Sequence, residues 1–413
     1  MNEEGTGDEA SSAMSEGSSP VTLVSLDIGG HLQGVTLGVE PGTRLWVEVS
    51  KYGQIAGVVE RAAEGVGLPT SVVEELANEF NDFEPSLLHS ISNDLLPSAT
   101  VIVPTIYRRA NELARTIESL LDLDYPDFEI IVVDNRPGTG NVPIMESSGS
   151  GRLRVELEPT KGASSARNHG IGVATGDFIA FTDDDAIVDR NWLRALGVKF
   201  AQEADVDAIG GMVRPTRLDT RAQLWFEEFY GGFTRYYVPR KWSTEIVGDS
   251  DPLFPYSAGH FGAGCNMAVR RAAFERYGGF DARLGIGTAS KGAEDLKVFV
   301  KILLGGGTVA FEPAALVRHS HRRTSDEFFT QVFGYGTGLT AMFTSLILED
   351  GQRLKEILRR VPLGLRRLLF PTEQRSASAI ASYPRRVQIY QLLGMAYGPF
   401  AYLRSWVSSR GSR

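Results

Sequence analysis

From residue 99 the chain alternates apolar runs with amphipathic stretches, and several of the apolar runs end in a polar or acidic residue. ATVIVPT (99–105) reads as a buried strand stopped by Pro104. ANELARTIESLLDL follows with helical spacing, and FEIIVVDN is a second strand ending at Asp134. SSARNHGIGVA is helical up to Gly176, and DFIAFTDDDA is a third strand ending in carboxylates. WLRALGVKFAQE is the next helix and VDAIGGMV a further strand. Strand–helix alternation with short links predicts an α/β layer structure with a mixed, largely parallel sheet flanked by helices. In such sheets ligands bind beyond the carboxyl ends of the strands. Thr105, Asp134 and Asp183 to Asp185 all stand at such ends, so they are expected to share one crevice.

The flanks read differently. Residues 1–19 are almost free of apolar side chains and are expected to be a disordered leader. Residues 20–96 form a small α+β module. VTLVSLDI, GVTLGV and RLWVEVS are β-prone, whereas GQIAGVVERAAEGV and PTSVVEELANEF show helical spacing, with a capping box expected at Ser71 to Glu74. Residues 97–330 hold the alternating core, and 331–413 a basic, helical C-terminal region.

With 413 residues, 42% hydrophobic and 23% charged, the chain is long enough for two or three domains with buried cores. Its single cysteine, Cys265, excludes a disulfide framework and a multi-cysteine metal site. No basic segment leading into an apolar run opens the chain, so a reducing, cytoplasmic setting is expected. The net charge of −9 is uneven: residues 351–413 carry 12 basic and 2 acidic residues, the remainder 30 and 49. An acidic body argues against nucleic acid as a partner, and a basic tail points to something anionic.

Four constellations carry chemistry. Asp183-Asp184-Asp185 places three carboxylates side by side, a set suited to a hard divalent cation such as Mg²⁺ or Mn²⁺, or to a solvated acidic turn. Glu294-Asp295 opens a helical stretch, as a helix start favoured by the dipole or as a general base at a pocket mouth. His319 and His321 share a face if extended, and one of them could complete a metal shell. Lys161-Gly162 with Arg167-Asn168 suits contact with an anion.

In order along the chain, VIVPTIYRR, EIIVVDN, KGASSARNHGI, IAFTDDDA, GAGCNMAVRRAAFERYGGFD, GAEDLKVFVKILLGG and VRHSH resemble glycosyltransferase family 2, the inverting transferases with the GT-A fold. The resemblance covers roughly residues 99–330. It departs at Ile106-Tyr107, at Thr160 and at Lys297, where the family usually carries Tyr-Asn, Asn and an acidic residue. The resemblance implies transfer of a sugar from a nucleotide-diphosphate donor to a hydroxyl of a glycan or lipid-linked acceptor. It makes Asp295 the base with Glu294 beside it, and assigns Pro104, Thr105, Arg108, Asp134, Asn135, Lys161, Arg167, Asp183 and Asp184 to the donor. Asp185, Asp183 and His319 would hold Mn²⁺ or Mg²⁺, and Asn266 and Trp192 would face the acceptor. A nucleotidylyltransferase would need a glycine-rich first loop, which VIVPTIYRR lacks. A non-catalytic sugar-binding scaffold would be expected to lose the base or the acidic triplet, and both are present.

Cys265 reads as a small buried residue within an apolar strand. The aromatic stretch 224–242 would either stack on acceptor sugars or fill a core. Phe328 to Leu348 and Val387 to Leu403 are uncharged runs, to be read as interfacial, spanning or packed helices. Peripheral contact with the inner face of a membrane through the basic tail is expected, and a homo-oligomer is a further expectation.

Overall fold

A computed structural model describes residues 21–137, 151–247, 251–369 and 385–410. The leader expected at 1–19 lies outside the described residues. The first unit holds β1 (Thr22–Asp27), β2 (Val35–Thr36), β3 (Arg44–Lys51), β4 (Gln54–Ala62), β5 (Gly67–Leu68) and α1 (Thr70–Glu79). Its three-stranded sheet runs β1-β3-β4, with β1 parallel and β4 antiparallel to β3.

Two expectations fail here. GQIAGVVERA is strand β4, not a helix: Tyr52 and Gly53, at φ 52° and 78°, make the tight turn that folds it back on β3. The capping box at Ser71 is absent too. Pro69 holds the cap position of α1 without a side-chain bond, and the Thr70 hydroxyl accepts instead from the Gly34 N–H at 3.2 Å.

The second unit follows as β6 (Ala99–Thr105), α2 (Ala110–Leu121), β7 (Phe128–Asp134), β8 (Leu153–Leu157), α3 (Ala163–Val173) and β9 (Phe178–Phe181). It continues through β10 (Ala186–Val188), α4 (Trp192–Gln202), β11 (Val206–Pro215), α5 (Arg221–Tyr230), β12 (Arg240–Trp242), α6 (Thr244–Val247), β13 (Met267–Arg270), α7 (Arg271–Tyr277), α8 (Glu294–Leu304) and β14 (Thr308–His319). The sheet order is β10-β14-β11-β13-β9-β6-β7-β8, with β12 also on β14. Strands β6, β7, β8, β9, β11 and β14 run one way, and β10, β12 and β13 run against them. This is the mixed, largely parallel α/β sheet expected.

Side-chain alternation splits the core into two layers. Val101, Val103, Ile130, Val132, Phe178 and Ala180 pack against helices α2 and α4 on one face. Ile102, Ile131, Val133, Ile179 and Phe181 pack against α3, α7 and α8 on the other. Both faces are covered, which accounts for the unbroken apolar runs.

Helices α9 (Ser325–Glu349), α10 (Arg353–Leu369) and α11 (Arg385–Arg410) complete the described chain. Helix α9 opens on a formed capping box between Thr324 and Glu327 and crosses the boundary expected at 330. Helix α11 lies along α9 at close range. A Cβ at Gly336 or Gly394 would run into the facing carbonyls of Gln391 and Phe333, so only glycine permits the approach. No helix among the described residues is long and apolar enough to cross a membrane.

The C-terminal helices are tied to α8 by a buried polar cluster. Lys297, 3% exposed, donates to Asp281 Oδ2, Ser345 Oγ and Glu349 Oε1 at 2.7, 2.6 and 2.6 Å. The hydroxyls of Ser345 and Tyr402 donate to the same Asp281 oxygen at 2.7 and 3.1 Å. Lys297 has three N–H donors and all three are used.

Candidate active site

The crevice forms where β6, β7 and β9 end. Asn135 N–H donates to the Thr105 carbonyl at 2.8 Å, and the Thr105 hydroxyl donates to Asp184 Oδ2 at 2.6 Å. Pairing of β10 with β14 sets Ala186 opposite His319, so the imidazole faces the preceding acidic turn. His319 Nε2 lies 3.1 Å from Asp185 Oδ1 and 4.0 Å from Asp183 Oδ2. The expected grouping of the acidic triplet with His319 is present, and His321 is not part of it. His321 turns to Glu227 at 2.7 Å, and Glu227 joins Arg214 and Glu48, a buried chain of charges reaching the first unit.

Glu294 and Asp295 open α8 after Ala293, which sits at φ 67° with no side-chain cap. Asp295 Oδ2 accepts from Gly264 N–H at 2.6 Å, and Oδ1 from Leu296 N–H at 2.8 Å. Arg167, 4% exposed, joins the two acidic groups: Nη1 donates to Glu294 Oε1 at 2.7 Å and Nη2 to Asp183 Oδ1 at 3.0 Å. Arg167 is thus a buried bridge between carboxylates.

Negative charge exceeds positive charge in this crevice, and the protonation equilibria reflect it. Burial, then the charges of Asp185 and Asp183, push the Asp184 carboxyl up to about 6 despite the Thr105 bond. Burial also pushes Asp185 up, but His319, Arg322 and Arg109 outweigh it and hold the carboxyl well below the usual range. Burial raises both Glu294 and Asp295, with the Asp295 charge adding to the effect on Glu294 and Arg167 opposing it on each. Arg167 Nε, His319 Nδ1 and the Thr182 hydroxyl are buried without a hydrogen-bond partner. A cluster of oxygen donors with one imidazole and surplus negative charge fits a hard divalent cation.

Several expected residues lie elsewhere. Trp192 and Asn266 do not face an acceptor. Both are fully buried, Trp192 Nε1 donates to Asn266 Oδ1 at 2.8 Å, and Asn266 donates to the Met212 and Ala315 carbonyls. Their polar atoms close a strand junction. Asn135 is likewise committed to backbone. It donates to the Glu158 and Thr160 carbonyls and accepts from Gly162 N–H, which holds the Lys161-Gly162 turn. Asp134, by contrast, stays in the crevice opposite Thr105, where it is buried and pairs with Arg136 at 2.8 Å from Nε and 2.5 Å from Nη2.

Pro104 is half-buried beside Thr105, while Arg108 and Lys161 are exposed at the rim. It is Arg109, one residue past Arg108, that reaches the triplet, at 3.0 Å from Asp185 Oδ2. Tyr107 at φ 56° turns the chain just before them, and two adjacent arginines give no hint of which will point inward. Cys265 is buried, as expected, but it precedes β13 rather than lying inside it. Part of the aromatic stretch packs into the core: Trp225 and Phe226 lie on Phe328 and Val332 of α9, and Phe233 sits edge-on to both histidines.

Residues 100–278 match the family model described as Glycosyl transferase family 2. A pre-mycofactocin glycosyltransferase of Mycobacterium tuberculosis is 26% identical over 65% of this chain and 54% of its own length. The succinoglycan biosynthesis protein ExoM of Rhizobium meliloti is 30% identical over 51% of this chain and 63% of its own. The chain therefore spans less than two thirds of either relative. Among solved structures, the mannosyltransferase PcManGT of Pyrobaculum calidifontis, in complex with GDP-Man and Mn²⁺, is 19% identical. That match covers 79% of this chain and 94% of that one, at a TM-score of 0.48. Over residues 100–278 the chain thus matches glycosyl transferase family 2, and the curated relatives match it over part of their own length.

Proposed function

We propose that this protein transfers a sugar from a nucleotide-diphosphate donor to a hydroxyl of a glycan or lipid-linked acceptor, with inversion, and that Asp295 is the general base. The observation that carries this reading is the Asp183–Arg167–Glu294 bridge. It sets a raised carboxylate, Asp295, beside the acidic turn at the sheet's end. Inversion needs a single in-line displacement through an oxocarbenium-like transition state. The attacking hydroxyl sheds its proton to an Asp295 oxygen, and the two backbone N–H groups on that carboxylate fix its orientation. Glu294 positions the base through their shared first turn and contacts acceptor hydroxyls.

The donor lies against Pro104, Thr105 and Asp134. Arg108 and Lys161, at the rim, meet its diphosphate, and Asp183 and Asp184 meet its ribose or sugar. Asp185, Asp183 and His319 hold the cation, Mn²⁺ or Mg²⁺, which when bound offsets the charge developing on the leaving diphosphate.

The test is a panel of UDP-, GDP- and dTDP-sugars assayed for transfer, with chelator and with added Mn²⁺. Asp295→Asn is expected to lose transfer by about 10²–10⁴-fold while nucleotide binding by calorimetry persists. Full turnover by that variant, or full turnover in chelator, would sink the assignment of the base or of the cation respectively.

The same reading places the protein at the inner face of a membrane. Ile389, Leu393, Phe400, Leu403 and Val407 are exposed along one side of α11, and Leu354, Leu358 and Val361 along α10. Arginines flank both rows, which suits an anionic bilayer surface. Phe400→Glu is expected to weaken binding to vesicles of anionic lipid, and unchanged binding would remove the membrane from the proposal.

A further inference from the structure

One residue at the crevice has no part in the chemistry above, yet it faces the cation site. Cys265 is 4% exposed. A bridge between Ala263 and Asn266 turns the chain there, and the side chain packs beside Val213 with Phe233 against it. Its sulfur, an Asp183 carboxylate oxygen and a His319 ring nitrogen all lie within 4.8 Å of one another. Arg167 occupies Asp183 Oδ1, so Oδ2 is the oxygen turned toward His319, at 4.0 Å from Nε2.

In a tetrahedral shell the metal–sulfur bond is about 2.3 Å and the metal–nitrogen and metal–oxygen bonds about 2.0–2.2 Å, which separates ligand atoms by roughly 3.5 Å. Small side-chain shifts would close the observed spacing to that value. His319 is 8% exposed, and its other ring nitrogen, Nδ1, is buried with nothing bonded to it.

We propose that Asp183, Cys265 and His319 form a thiolate-bearing set that takes a borderline-soft divalent metal, Zn²⁺ or Co²⁺, in a four-coordinate shell completed by water. The inference rests on the cation reading above and deepens it. Asp185 belongs to the oxygen-rich shell expected for Mn²⁺ or Mg²⁺ and stands outside the thiolate set. As the metal–sulfur bond forms, the thiol proton leaves to solvent. Sulfur and imidazole ligands favour Zn²⁺ over Mn²⁺, and the general affinity order runs the same way. Zn²⁺ then competes with the hard cation for Asp183 and His319, and the site becomes sensitive to zinc supply.

The test is Co²⁺ titration of the metal-stripped full chain, read by absorption. The wild type is expected to show sulfur-to-cobalt charge transfer in the near ultraviolet with intense tetrahedral visible bands, both erased by one equivalent of Zn²⁺. Asp185→Asn should keep the charge-transfer band, and Cys265→Ser should lose it with its melting curve unchanged. Zinc-edge X-ray absorption of the Zn²⁺-loaded wild type needs no variant and should find one sulfur at about 2.3 Å. A weak octahedral cobalt spectrum, or a zinc shell of nitrogen and oxygen only, overturns the thiolate while leaving the Mn²⁺ reading in place. If calorimetry shows no divalent ion binding at all, the cation reading falls with it.

Discussion

Helix α8 carries two charge clusters within its first turn, and they differ in kind. Glu294 and Asp295 face the crevice, where carboxylates outnumber cations and the carboxyls of Asp184, Glu294 and Asp295 are all raised. Lys297 faces the other way, into Asp281, Ser345, Glu349 and Tyr402, where every donor has an acceptor. There, burial pushes Asp281 up, but Lys297 and the hydrogen bonds of Arg283 and Ser345 hold it well below the usual carboxylate range. One cluster has its charges matched by its own residues. The other is left short of positive charge. An excess of one charge sign that protein groups leave uncompensated is a mark of a site, and a balanced buried cluster is a mark of structure.

Paired substitutions test that contrast. Asp295→Asn is expected to cost transfer its 10²–10⁴-fold and to move the unfolding free energy by only about 1 kcal/mol, since it removes a buried charge while giving up one of the two backbone N–H bonds. Lys297→Met leaves Asp281 buried with a weakened set of partners, and a loss of about 3–5 kcal/mol in unfolding free energy is expected. If urea unfolding finds the two variants equally stable, the contrast is wrong.

The pH dependence is a smaller effect of opposite sign in the two clusters. Asp184, whose ordinary value is 3.8, sits at about 6 when folded, so the native state holds its proton more tightly than the unfolded chain. In chelator, stability should therefore fall as pH rises from about 4 to 6, by at most about 3 kcal/mol, and Asp184→Asn or saturating Mn²⁺ should flatten that slope. Asp281 contributes in the other direction. Its stabilisation is present above about pH 4 and is lost as pH falls through its depressed folded value. Urea midpoints across this range, with and without Mn²⁺, measure both.

The smallest effect separates two neighbours. Arg109 competes with a cation for Asp185, so Arg109→Ala should tighten Mn²⁺ binding by about 2- to 5-fold, as befits a partly exposed ion pair. Arg108→Ala should leave Mn²⁺ binding unchanged. Equal shifts by calorimetry would remove the distinction.

What could be read from sequence follows the range of the forces involved. Strands β6, β7 and β9 and helices α2, α3 and α8 carry long apolar periods, and their ends put Thr105, Asp134 and Asp183 to Asp185 together by topology alone. Strand β4 reads as a helix in sequence because Ile55, Ala56, Val58 and Val59 fit helical spacing as well as strand spacing. The decisive signal was the Tyr52-Gly53 turn before them. Asn135, Trp192 and Asn266 look polar enough for ligands, but their partners are backbone carbonyls and each other across long chain separations. Lys297 stood out as a departure from the family pattern. Its meaning needed Ser345, Glu349 and Tyr402, whose nearness depends on the glycine contact between α9 and α11.

That contact bears on where the catalytic unit can be trimmed. A chain cut at 330 would strip Ser345, Glu349 and Tyr402 from the ammonium group that sits one residue past Leu296 on the base-bearing helix. It would also bare the apolar flank that Met342 and Leu346 cover. Loss of transfer in such a fragment would report a misplaced Asp295 rather than a missing acceptor module. The shortest piece expected to hold its base in register runs beyond Tyr402, so the tail's dealings with lipid are better probed by single charges on its outer face than by deletion.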